Sequence, residues 1–275
     1  VVGTIPHGAV AITFDDGYAD NLSNGRPRLE QFEIPAMLFP LIGNLGAARE
    51  FWWDEVERVV LDSTTLPSKL RLTINGTALD WEATKDQPSP NGTAEPANDS
   101  GDTHNARQAR EELCLALHQA LRPLRADAQQ RVLDSLVAWA GVAAQARPTH
   151  RTMTPDELLR MADGNLVEIG AHTVSHPVLA TLSPLEQREE ILQSKLRLEH
   201  VLNRPVTCFA YPFGQEADYT AETVEIVGHV GFSAACTTVG GSVTRHVHPL
   251  RLPRLVVRDW DGVMFARQLH ESLHG

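Results

Sequence analysis

Short apolar runs alternate with capped, amphipathic helical stretches at both ends of this sequence, and that alternation most narrows the fold. "GAVAITFDD" reads as a strand, "NLSNGRPRLEQFEI" as a loop and helix, and "PAMLFPLI" as a second strand. From residue 151 the rhythm resumes. Thr154-Pro155-Asp156-Glu157 predicts a helix start, with Thr154 as N-cap, Pro155 at the first position and Glu157 completing a capping box. "LVEIGAHT" reads as a strand, and Ser183-Pro184-Leu185-Glu186 opens a long helix in the same way. "VTCFAYPFG", "FSAACTT" and "LRLPRLVV" read as strands, with "AETVEIVGHV" and "DGVMFARQLHESL" as helices. Strands separated by helices pair in parallel, so the expected fold is α/β, either a barrel or an open sheet flanked by helices.

Residues 51–150 break the rhythm. "KLRLTINGTALDWE" alternates about Asn75-Gly76, a strong hairpin signal. Residues 83–105 are rich in Pro, Asn, Gly, Ser and Asp and predict an exposed, mobile loop. "ARQAREELCLALHQALRPL" and "DAQQRVLDSLVAWAGV" read as two amphipathic helices. The expectation is a single domain over 1–275 with a helical and hairpin insertion at about 51–150. A chain of 275 residues, 42% hydrophobic, is ample for such a core.

Composition narrows the partners. A formal net charge of −11, with no basic block, argues against nucleic acid and against anionic membrane surfaces. No run reaches the roughly 18 apolar residues of a membrane-spanning helix, so no membrane insertion is expected. No basic-then-apolar signal segment opens the sequence, which favours the cytoplasm over the periplasm or secretion as an expectation. Cys114, Cys208 and Cys236 are odd in number and far apart, so they read as small buried apolar residues rather than a disulfide framework.

Two features carry chemistry. Asp15 and Asp16 stand side by side at the end of the first strand, where like charges repel and burial is costly. A metal ion is the first candidate to compensate them. His172 and His176, four residues apart at the end of another strand, face the same side on a turn or helix. Two imidazoles and one carboxylate suit Zn²⁺ or another divalent transition metal, with positions left for water and substrate. Alone, either feature reads as a turn or as surface decoration. Together they sit at strand ends, where α/β folds place their sites.

"TFDDG", "HTVSH" and "YPFG", in this order, resemble the polysaccharide deacetylases, the NodB-homology family of carbohydrate esterases (family 4). The resemblance covers residues 9–45 and 151 to about 260. It implies a distorted (β/α)₇ barrel and hydrolysis of N-acetyl groups on amino sugars of a bacterial polysaccharide or glycoconjugate, the carbohydrate being the partner. It implies that Asp16, His172 and His176 bind one divalent metal, Zn²⁺ with Co²⁺ or Ni²⁺ as alternatives, and that Asp15 is the general base. The backbone N–H of Tyr211 would help stabilise the oxyanion, and Pro212 and Phe213 would shape the pocket wall.

The sequence departs from the family pattern twice. The third motif usually carries an arginine that pairs with the base, and Ala210 stands there. A branch acting on exopolysaccharide amino sugars also has Phe-Ala-Tyr-Pro. Arg254 is expected to supply the missing charge, while Arg251 points to the opposite face by strand alternation. The histidine of the last motif, a general acid, is absent; His246 and His248 are candidates, as are a water and a protonated Asp15. Trp53, after the second strand, would stack on a sugar ring near the barrel mouth, or else anchor the insertion with Trp52; Trp260 is a looser candidate for the same groove. The rival functions are a related hydrolase of non-peptide amides, such as a sugar deformylase, and an inactive glycan-binding module.

Overall fold

The computed structural model describes residues 8–83 and 99–274. In chain order its elements are β1 (Ile12–Asp16), α1 (Arg26–Phe32), β2 (Ala36–Pro40), α2 (Trp52–Val60), β3 (Lys69–Ile74), β4 (Thr77–Glu82), α3 (Asp99–Leu121), α4 (Ala126–Ala140), α5 (Pro155–Met161), β5 (Val167–Ile169), α6 (Pro184–Leu202), β6 (Cys208–Ala210), α7 (Ala221–His229), β7 (Ala234–Cys236) and α8 (Gly262–His274). They form two compact units, Val1–Ala47 with Thr152–Gly275, and Ala48–Arg151.

The first unit is built on parallel strands. β1, β2 and β5 form one sheet in that order, with Ile12 opposite Ala36 and Leu38 opposite Ile169. β6 and β7 form a second parallel pair. A parallel bridge between Ala171 and Phe209 links the two sheets, and another between Cys236 and Leu252 continues the arc. Among the described residues, no backbone pairing joins the Leu252 segment to β1. The α/β architecture is therefore present as an open arc, not as the closed barrel that the resemblance implies. The last segment explains the difference. "LRLPRLVV" contributes a single bridge residue, because Pro253 has no N–H to extend a ladder.

Tertiary burial stabilises this arc. Leu38, Phe39, Phe209 and Ala235 on the strands are wholly buried, as are Leu158 and Met161 on α5 and Ile191 and Leu198 on α6. Truncating Leu38 to alanine would cost about 2–5 kcal/mol. Thr154 and Ser183 form full capping boxes with Glu157 and Glu186, each worth ~1 kcal/mol.

The second unit holds the β3–β4 hairpin and helices α2, α3 and α4. Asn75 and Gly76 both have positive φ, 49° and 80°, as a two-residue type I′ turn requires. Leu113, Leu117 and Leu121 line the buried stripe of α3 at four-residue spacing. That helix begins at Asp99 rather than Ala106, so it takes up the end of the stretch expected as a loop over 83–105; residues 84–98 lie outside the described residues. The buried carboxylates of Glu50 and Glu55 are paired, Glu50 with Arg147 and Glu55 with Arg49 and Arg58. Among the described residues no helix is long and apolar enough to cross a membrane. All three cysteines are free.

Candidate metal centre

The site lies at the C-terminal ends of the parallel strands. Regular alternation would send Asp15 and Asp16 to opposite faces of β1. Asp16 instead ends the strand in the left-handed region, with φ 69°, and Gly17 follows with φ 87°. A Cβ on Gly17 would meet Pro40 Cβ at 2.9 Å, so this turn demands glycine twice over. The bend lets both acids reach the same pair of histidines. His172 follows β5 and is buried, and its Nδ1–H donates to the Ala210 carbonyl at 2.8 Å. A carbonyl can only accept, so this bond fixes the tautomer and turns the Nε2 lone pair towards Asp16. His176 returns to the site round a tight turn in which Thr173 and His176 both have positive φ.

Asp16 Oδ1 lies 3.5 Å from His172 Nε2 and 3.7 Å from His176 Nε2. One donor atom from each of the three residues falls within 4.8 Å of the others. Asp16 Oδ1 is buried and accepts no hydrogen bond from the protein. A buried carboxylate oxygen in that state is costly without a cation. Two donors on one tetrahedral ion, each at about 2.0–2.2 Å, stand roughly 3.4 Å apart. The separations of Asp16 from the two histidines are therefore within a few tenths of an ångström of those that a single divalent ion requires.

The electrostatics agree. Burial pushes the Asp15 carboxyl up, but His172, the hydrogen bonds and charge of Arg254, and His176 together hold it below its usual value. Burial likewise pushes His172 down, and the carboxylates of Asp16 and Asp15 outweigh it and raise the imidazole. Two carboxylates beside two imidazoles make a pocket that favours positive charge.

Arg254 lies against Asp15. Its Nη1 donates to Asp15 Oδ1 at 2.8 Å and its Nη2 to Oδ2 at 2.7 Å. The same guanidinium donates to Thr13 Oγ1 at 3.1 Å and, through Nε, to the Thr237 carbonyl at 2.8 Å. Side chain rather than backbone thus connects the last segment to β1. Arg251 turns elsewhere, is exposed, and stands 5.6 Å from the Tyr219 ring centre.

The remaining expected residues separate. The Tyr211 N–H donates to the Cys236 carbonyl at 3.1 Å, so it belongs to the β6–β7 ladder and is not available to an oxyanion. Its hydroxyl donates to the Leu250 carbonyl at 2.9 Å, making Tyr211 a core residue. Pro212 is buried in the following turn, and Phe213 packs edge-on to His176, with ring centres 4.5 Å apart. Trp53 belongs to the second unit, where it stacks on Phe51 at 4.7 Å and meets Trp52 edge-on. Trp260 is half-buried in the segment before α8. His246 lies beside Arg245, and His248 Nδ1 accepts from the Leu250 N–H; both histidines make these contacts within their own loop. The orienting carbonyl of Ala210 has no sequence signal, since a backbone oxygen is shared by every residue type.

The polysaccharide deacetylase family profile matches residues 130–235, which include both histidines and Tyr211–Gly214 but not Asp15, Asp16 or Arg254. YxkH of Bacillus subtilis (strain 168), a presumed polysaccharide deacetylase, is 28% identical over 93 residues, 34% of this chain and 32% of that protein. The chain thus matches about a third of that relative's length. IcaB from Ammonifex degensii shares 16% identity at a TM-score of 0.54, over 98% of this chain and 75% of that one. A de-N-acetylase from Aggregatibacter actinomycetemcomitans shares 13% at 0.53, over 97% and 77%. The Streptococcus pyogenes deacetylase PplD, in complex with acetate, shares 16% at 0.51, over 96% and 69%. At these identities the structures show a common α/β fold. The chain is thus similar to the polysaccharide deacetylases over residues 130–235 and shares their α/β fold.

Proposed function

We propose that this chain is a metal-dependent hydrolase that removes N-acetyl groups from amino sugars of a bacterial polysaccharide or glycoconjugate. The observation that carries the reading is the convergence of Asp16, His172 and His176 beside an Asp15 that Arg254 grips with both arms. Asp16, His172 and His176 would hold the ion, and the mixed nitrogen and oxygen donors favour Zn²⁺, with Co²⁺ or Ni²⁺ as substitutes. When bound, such an ion supplies Lewis acidity, polarising the acyl carbonyl and lowering the pKa of a water.

The chain's own residues do the rest. Asp15, kept ionised, takes the proton from the attacking water. Arg254 fixes the orientation of that carboxylate and keeps it charged. The tetrahedral centre then collapses, the C–N bond breaks, and the proton on Asp15 passes to the leaving nitrogen. His246 and His248 are engaged within their own loop, so Asp15 serves as both base and acid. Phe213, packed on His176, forms an apolar wall for the acyl group. The acetate held by PplD is the product expected from this reaction.

A glycan-binding module has no use for an ionised, oriented base, so the Asp15–Arg254 pair favours the enzyme. The test is product analysis with zinc-loaded protein on N-acetylated and N-formylated amino-sugar oligomers. Acetate with a matching free amine supports the proposal. Formate alone transfers the reading to a deformylase, and bound but unaltered glycan would reduce the chain to a binder.

A further inference from the structure

We infer that Glu190, on α6, is a positioning residue for the metal centre, its carboxylate holding the backbone turn that carries His176 to Asp16. The inference rests on the proposed metal-dependent reading for its consequence, but the contacts stand by themselves. Glu190 Oε2 accepts the Val174 N–H at 2.8 Å and the Ser175 N–H at 3.0 Å. Glu190 Oε1 accepts the Ser175 hydroxyl at 2.8 Å. Two successive amides therefore converge on one anionic oxygen, the arrangement of a backbone anion nest, with the anion supplied by the protein.

This turn needs such an anchor. Thr173 is β-branched yet has φ 66°, and His176 has φ 58°, both in the sparsely populated left-handed region. Left to itself, the segment would relax towards ordinary backbone angles, and His176 Nε2 would leave Asp16. Glu190 opposes that relaxation at the two residues between the strained positions. Two further contacts complete the hold. The His176 N–H donates to Thr173 Oγ1 at 3.1 Å, and the Val174 carbonyl accepts from the Gly43 N–H at 3.1 Å. The Val174 residue is thus caught on both sides, by a carboxylate and by a backbone amide. A residue at one remove that orients metal ligands is worth roughly 10–100-fold in metal affinity.

The variants are Glu190→Ala, Glu190→Gln and Ser175→Ala, in the full chain. The readouts are zinc affinity, by competition with a chromophoric chelator, and hydrogen exchange of the Val174 and Ser175 amides in metal-free protein. Glu190→Ala should weaken zinc binding by about 10–100-fold and speed both amides, with activity recovering in excess zinc. Glu190→Gln should lose much less, because its carbonyl still accepts both N–H groups and its amide donates to the Ser175 hydroxyl. Zinc affinity equal to the parent's in a folded Glu190→Ala, or unchanged amide exchange, overturns the proposal. If Glu190→Ala does not fold, Ser175→Ala decides, since losing one of the three bonds should weaken zinc binding measurably, and unaltered affinity overturns the idea. If the parent itself binds no zinc, the functional reading fails. The exchange of the two amides in Glu190→Ala, faster than in the parent or unchanged, still decides the role of Glu190.

Discussion

Arg254 and Asp15, 239 residues apart in sequence, meet as a bidentate ion pair, with both guanidinium arms on both carboxylate oxygens at 2.8 and 2.7 Å. Asp15 must be ionised to take a proton, and its depressed pKa depends in part on this cation. Arg254→Met should therefore raise the pKa of Asp15 and move the acidic limb of the pH–rate profile to higher pH. Arg251→Met, which alters an exposed side chain beside Tyr219, should leave the limb in place. Profiles of kcat/KM against pH for the two variants check this; a limb unmoved by Arg254→Met contradicts the role given to the pair.

The two adjacent acids should fail in different ways. Asp15→Asn removes the proton acceptor and should lower kcat by about 10²–10⁴-fold while the protein still binds zinc. Asp16→Asn removes a ligand and should bind zinc poorly at any pH. Metal content measured beside activity separates them, and the reverse pattern would exchange their roles.

Gly43 packs tightly against the turn that carries His176, its N–H donating to the Val174 carbonyl. A Cβ there would lie 2.4 Å from the Val174 carbonyl oxygen, which is backbone and cannot swing aside. Gly43→Ala should destabilise the protein by roughly 1–3 kcal/mol through overpacking and also weaken zinc binding. Thermal melts with and without zinc check both effects. A variant with parental stability would show that the turn yields freely.

Acid stability should depend on Glu199. Burial pushes its carboxyl up, but the Val206 N–H at 3.0 Å and Lys195 hold it below the ordinary value. A depressed folded pKa contributes stability that is present above the unfolded pKa of about 4.3 and lost as pH falls through the folded value. Glu199→Gln should thus lower the Tm at pH 7 and approach the parent's Tm in acid below the folded pKa. A Tm difference that is independent of pH contradicts this.

Much of this fold was legible because it is written locally. Thr154 and Ser183 announce their helices, Asn75-Gly76 its hairpin, and the apolar runs their strands, since caps, turns and alternation act over a few residues. The meeting of Asp16, His172 and His176 follows the expectation from residue type at strand ends, and that of Arg254 with Asp15 the expectation from strand alternation. What sequence could not give was the destination of backbone groups. The Tyr211 amide looked free for an oxyanion until the register of β6 on β7 assigned it to Cys236. Nothing in the sequence marks Glu190, because its partners are amides 15 and 16 residues away. The Pro253 break in the last segment outweighed the apolar pattern around it.

The central claim is that Asp16, His172 and His176 hold the ion on which deacetylation depends. Its most direct test is acetate release from N-acetylated amino-sugar oligomers by protein stripped with chelator and then titrated with zinc. Activity should be absent after stripping, return to a maximum at one zinc per chain, and fail to return in His176→Ala. Undiminished acetate release from the stripped protein, or full recovery in His176→Ala, would contradict it.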